Sequence, residues 1–146
     1  MSYKKFAGML LCSFVIMYAV MFLNVESTEH IYLSNTRFYM TLLMIAPMAL
    51  LKLLFMGDMY KNKKWNMGIA IVSIGVFITA LTLLRKQTFI ADEQYMQAMI
   101  PHHSSAIMTS EAAHLKHPEV QKLAQEIIAA QKREIAEMKR LLKEVE

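Results

Sequence analysis

Between Met96 and Met108 the chain reads MQAMIPHHSSAIM, a short stretch holding three thioethers and two adjacent imidazoles. Thioether sulfur is soft and uncharged, and together with imidazole nitrogen it suits Cu(I) and, by the same softness, Ag(I). Hard ions such as Mg²⁺ or Ca²⁺ want oxygen donors, and Ser104, Ser105 and Ser110 are poor substitutes for carboxylates. Zn²⁺ usually takes cysteine or more closely matched histidines. The only cysteine, Cys12, lies far away in an apolar run, so there is no disulfide framework. Methionine and histidine would not form disulfides in an oxidising compartment, where thiolates tend to.

The spacing suits one helix face. At about 100° per residue, Met96, Met99, His103, Ser110 and His114 fall within an arc of about 60°. Met96, Met99 and His103 follow i, i+3, i+7 and stack along one stripe. His102 lies at its edge, about 60° from Met99. The plain alternative is packing, because methionine in an apolar stripe is usually gap-filling core. A histidine doublet beside Pro101 with methionine on both sides is a less ordinary core pattern, and it keeps the metal reading open.

Such a stripe needs elements to hold it. With 55% apolar residues and a mean hydropathy of +0.30, the chain is too apolar for an ordinary soluble domain. Apolar stretches at about residues 6–25, 38–56 and 67–84 each approach the ~20 residues a helix needs to cross a bilayer. Lys52 is the only charge inside them and lies where its stem can snorkel, while Pro47 should kink the second span. The first stretch is long for a signal peptide and lacks a small-x-small site, so a retained anchor is expected.

Charge sets the orientation. Residues 1–90 carry nine Lys/Arg against Glu26, Glu29 and Asp58, whereas the remainder carries seven basic and nine acidic residues. The basic excess therefore flanks the spans, and a slightly acidic tail speaks against nucleic-acid binding. Lys4 and Lys5 precede the first span, and Lys61, Lys63 and Lys64 fill the second connection. The first connection, VESTEHIYLSNTR, has only Arg37. The positive-inside rule then puts the N-terminus in the cytoplasm and the tail outside.

In the tail, Asp92 can cap a helix that should run to about Leu115 with a bend at Pro101. KHP breaks it, and Pro118 opens a second helix. That helix bears the stripe Val120, Leu123, Ala124, Ile127, Ile128, Ile135, Met138, Leu141, Leu142 and Val145. A short connection makes an antiparallel hairpin, with Met138 returning near the level of Met96. Two helices cannot bury both apolar faces alone, so a second copy completing a four-helix bundle is expected. The chain thus reads as an all-α membrane protein: residues 1–88 a three-span region, residues 89–146 an extracytoplasmic helical hairpin that oligomerises.

MIPHHSSAIM followed by HPEVQKLAQEIIAAQKREIAEMKRLL resembles a family of bacterial domains of unknown function, ferritin-like helical proteins that include the copper-binding protein CopM. The resemblance covers about Phe89 to Leu142. It rests on the MIPHH block and on the Ile-Ile-x-x-Gln…Glu-Ile-x-x-Met block ending at Met138. It implies Met99, His102, His103 and Met138 as metal ligands, with Met96 and Met108 near them. It also implies an exported or membrane-anchored protein associated with copper tolerance, here in a bacterial cytoplasmic membrane with its hairpin in the periplasm. At Thr109, where many members have another Met, this chain departs from the pattern, which leaves the number of ions open.

The expected function is therefore a membrane-anchored copper binder that buffers or hands over Cu(I), with Ag(I) also possible, and catalyses no reaction. Three rivals stand beside it. Glu111-Ala-Ala-His114 has the Glu-x-x-His spacing of di-metal oxidases, which adds Glu111 and His114, beside the Met108 of the resemblance, as further metal candidates. Met40, Met44 and Met48 resemble the Met-x-x-x-Met of Ctr-type copper channels, although Gly68 and Gly75 stand seven apart rather than four. A ligand-free oligomerisation module would use the Met/His stripe for packing only.

Overall fold

A computed structural model describes residues 2–145, apart from the side chain of Asp58. The described residues are helical without a strand: α1 (Tyr3–Val20), α2 (Asn35–Phe55), α3 (Lys63–Lys86), α4 (Asp92–Ala112) and α5 (Pro118–Val145). Single 3-10 turns lie at Thr28–His30 and Gly57–Met59. The chain divides into two compact units, Met1–Val20 with Thr36–Phe89, and Met21–Asn35 with Ile90–Glu146.

In the first unit, α1, α2 and α3 are each long and apolar enough to cross a membrane. The first helix stops at Val20, short of residue 25, and α2 continues through Pro47 as one helix. Phe6, Ala49 and Tyr60 form a small core, with Leu10, Leu53 and Ile69 packed on it. Polar groups fasten the same end. The Asn62 side chain accepts from the backbone N–H of Lys64 and Trp65, capping α3. Tyr3 donates to Asn66 Oδ1 at 2.8 Å, and the Asn66 amide donates to the Tyr60 carbonyl at 2.7 Å. The Lys52 ammonium rests on the Met9 sulfur. Met40 and Met44 point outward from this unit, 42% and 40% exposed, rather than lining its interior.

The second unit is more than the tail. Helices α4 and α5 pair antiparallel, burying Met96, Ile100, Ile107, Ile135 and Leu142, with Tyr32, Ile128, Met138 and Leu141 against them. The core stripe of α4 is thus Met96, Ile100 and Ile107. Met99 and His103, at the expected centre, are half-buried at its edge. Ala91, not Asp92, is the N-cap, without a side-chain bond, although Asp92 and Glu93 still suit the positive end of the helix dipole. Helix α4 stops at Ala112 instead of Leu115, because the chain turns extended at Ala113 before the His117–Pro118 start of α5.

The connection between α1 and α2 is the third layer of this unit. Ser104 is fully buried, and its hydroxyl accepts the Glu26 N–H at 2.7 Å and lies 2.9 Å from His30 Nδ1. The Asn24 amide donates to the Ser105 hydroxyl at 2.7 Å, and the Asn35 N–H donates to Gln94 Oε1 at 2.8 Å. Lys132 lies 3.8 Å from Glu26 and Lys139 lies 3.5 Å from Glu29. With His30 neutral, Ser104 can donate its proton to Nδ1 while accepting from Glu26.

Burial, and then Lys139, push the His30 pKa below 6.5, against Glu26 and Glu29. The folded state then binds fewer protons than the free segment. The stabilisation is complete above 6.5 and is lost as pH falls through the lowered folded value. Acidification from about pH 7 to about pH 5 should therefore loosen residues 21–35. Hydrogen exchange at the Glu26 amide checks this. Protection should fall with pH in the natural chain and change much less in His30→Gln.

Candidate metal centre

Across the hairpin, His103 Nδ1 of α4 lies 3.1 Å from Glu134 Oε2 of α5. Antiparallel helices brought level there place Met99, one turn back along α4, level with Met138, one turn on along α5. Met96 and Met138 both line a groove of about 360 Å³ with Asp92, Tyr95, Leu141 and Val145. Met96, Met99 and His103 thus follow about two turns of α4, and Met138 of α5 shares the groove with Met96. Met96 is the deepest of them at 6% exposure, and Met138 packs on the same core. Their sulfurs suit such a place because a thioether is uncharged and loses little on leaving water.

Burial lowers the His103 pKa below 6.5 against the pull of Glu134, and His102 adds to the lowering. The ring is therefore neutral at neutral pH, with a lone pair free for a ligand. Nδ1 is buried, and although it touches Glu134 the angle is too poor for a hydrogen bond. The other half of the doublet behaves differently. His102 is exposed, its ring centre 5.9 Å from that of His103 and tilted by 59°.

The remaining candidates do not join this group. Met108 is nine residues beyond Met99, about 180° around the helix, and so faces the other way. Glu111 is held by Lys132 at 2.8 Å. His114 is exposed and lies past the end of α4, so Glu111 and His114 share no helical face. The Glu-x-x-His pattern is broken by the helix end. Among the described residues, no three His, Cys, Asp or Glu side chains converge as a metal group. What the hairpin offers is sulfur with a single held imidazole. Uncharged sulfur and imidazole donors fit a soft monovalent cation better than a hard divalent one.

Three residues of this unit were not named as site candidates from the sequence, although two of them belong to the block that carries the resemblance. Glu134 and Gln131 both occur in the second sequence block, yet nothing in their spacing set them apart from a solvated face. Gln131 Oε1 proves to be buried without a hydrogen-bond partner. His30 sits 74 residues from Ser104, and no local pattern signals a contact over that distance.

Comparison with known proteins covers the hairpin and the end of α3 before it. The model of a domain of unknown function, DUF305, matches residues 76–145. An uncharacterized protein of Acanthamoeba polyphaga mimivirus is 38% identical over 143 residues, spanning 93% of this chain and 90% of its own. No solved structure matches. From the domain match and the near full-length likeness, the chain belongs to the DUF305 family.

Proposed function

We propose that this protein is a membrane-anchored binder of Cu(I), with Ag(I) as its chemical double, held on the α4–α5 hairpin for buffering or hand-over. The observation that carries the reading is the half-buried His103, one helical turn from Met99 on the helix whose Met96 shares a groove with Met138 of α5. Neutral sulfur and nitrogen donors favour a soft ion of single charge. The resemblance to copper-associated proteins such as CopM supports the same ion. The three apolar helices serve as the anchor, and the Lys-rich link marks the cytoplasmic side of the membrane. No residue is assigned a catalytic step.

A second copy of the chain completes the bundle in this reading. Val120, Leu123 and Ile127 of α5 are 44%, 55% and 36% exposed, an apolar edge that a further hairpin would cover. A packing-only role is the second reading, because Met96 sits in the apolar core.

Titration of the detergent-solubilised full chain with Cu(I) against a competing chelator separates the two. The combined Met99→Leu and His103→Gln variant should bind about 100-fold more weakly, or ~2.7 kcal/mol, with helicity unchanged by circular dichroism. Loss of helicity instead, or wild-type binding no tighter than about 1 µM, would favour packing alone. Met138→Leu nearly conserves volume, so unfolding should shift by less than about 1.5 kcal/mol. Its Cu(I) affinity should fall by about tenfold, or ~1.4 kcal/mol, in the same titration.

A further inference from the structure

A histidine that gives one ring nitrogen to a metal usually gives the other to an acceptor that fixes its tautomer and orientation. His103 has such a neighbour. Its side chain is 12% exposed, and its Nδ1 lies 3.1 Å from Glu134 Oε2. Glu134 differs from the surrounding acids in what it faces. Glu111 is tied to Lys132, and Glu137 and Glu144 are tied to Arg140, all at 2.8 Å or less. Glu134 instead faces the imidazole. Its carboxylate is 55% exposed and so keeps much of its hydration. A charge there costs little, yet it reaches a ring that is mostly buried.

Resting on the soft-cation reading above, we infer that Glu134 is a positioning residue that holds His103 as the Nδ1–H tautomer and leaves Nε2 to the cation. An imidazole that gives one nitrogen to an ion keeps its single proton on the other. Placing it on Nδ1 turns the close contact with Glu134 into an N–H···O⁻ hydrogen bond once the ring swings into line. The negative charge then offsets the cation's single positive charge from outside the ligand set. A carboxylate oxygen is itself a poor match for Cu(I) or Ag(I), which prefer sulfur and imidazole. The two histidines of the doublet thereby separate. His103 is held from behind, whereas His102 is exposed and stands beside it without a carboxylate contact.

The test uses the full chain in detergent micelles, ¹⁵N-labelled at histidine, with Ag(I) as the probe. Long-range ¹H–¹⁵N spectra assign the proton of each ring, and ¹⁵N–silver coupling assigns the bound nitrogen. With Ag(I) bound, His103 should show a protonated Nδ1 and a silver-coupled Nε2. Glu134→Ala should leave helicity unchanged, mix the two tautomers in the metal-free protein and weaken Ag(I) binding by about 10- to 100-fold. Glu134→Gln, whose amide oxygen still accepts, should recover most of the tautomer preference. Silver coupling on Nδ1, or a Glu134→Ala variant with wild-type tautomer and affinity, overturns the positioning role while leaving the soft-cation reading intact. A natural chain that takes up no Ag(I) overturns both.

Discussion

The apolar seam between α4 and α5 is the contact on which the hairpin depends. Ile100 and Ile107 are fully shielded from solvent, and Ile135 and Leu142 nearly so. Each such side chain contributes roughly 1.5–3 kcal/mol when buried, against about 0–1 kcal/mol for an exposed ion pair of the kind Lys122 and Glu126 make. The seam therefore sets the register, and the polar contacts follow it. A slip of one turn, about 5.4 Å, would pull an isoleucine out of its place and carry His103 away from Glu134. The chemistry at the edge is placed by hydrocarbon at the centre.

A second constraint comes from the number of crossings. If the three apolar helices each span the membrane, the connection after the first and the tail after the third emerge on the same side. Residues 21–35 lie on α4, with the Ser104 hydroxyl buried between a backbone N–H and an imidazole. Leaving that N–H and hydroxyl unpaired would cost about 1–3 kcal/mol for each buried group, so the segment and the helix specify one another. Proline at position 101 adds to this. It is fully buried in the helix and supplies no N–H, which leaves one carbonyl without its helical partner.

Periodicity in the sequence reported what is local. Three hydrophobic runs gave three long apolar helices, Pro118 opened α5 as a first-turn proline should, and Ala124, Ile128, Ile135, Met138 and Leu142 became its inward face, with Ile135 and Leu142 buried. It did not locate the core stripe of α4 correctly, because Met96 and Ile100 versus Met96 and Met99 differ by a small rotation. Which side is buried depends on the position of α5 and of residues 21–35. Nor could it place His30, Glu134 or Gln131. His30 and Glu134 each acquire a contact from a residue on another segment, and a single sequence has no term for such pairs. The end of α4 was missed for a related reason: Ala113 to Leu115 are acceptable in a helix and give way only to the demands of the next one.

Packing and ligation need not compete in such a seam. A thioether placed there is apolar enough to fill space and still carries a lone pair, so the metal-free hairpin bears no unpaired charge among its isoleucines. Carboxylates in the same position would have to be neutralised or exposed, which is how the acids of this unit are in fact arranged, against lysine, arginine or water. For the proposed cation the difficulty would arise only on binding, since its charge would then be introduced beside hydrocarbon. Sulfur and imidazole disperse it without cancelling it. A half-hydrated carboxylate one residue outside the ligands can cancel it, and it can do so without drawing in the harder ions that a carboxylate within the ligand set would favour. The position of Glu134, four residues before Met138 and in contact with His103, meets that requirement.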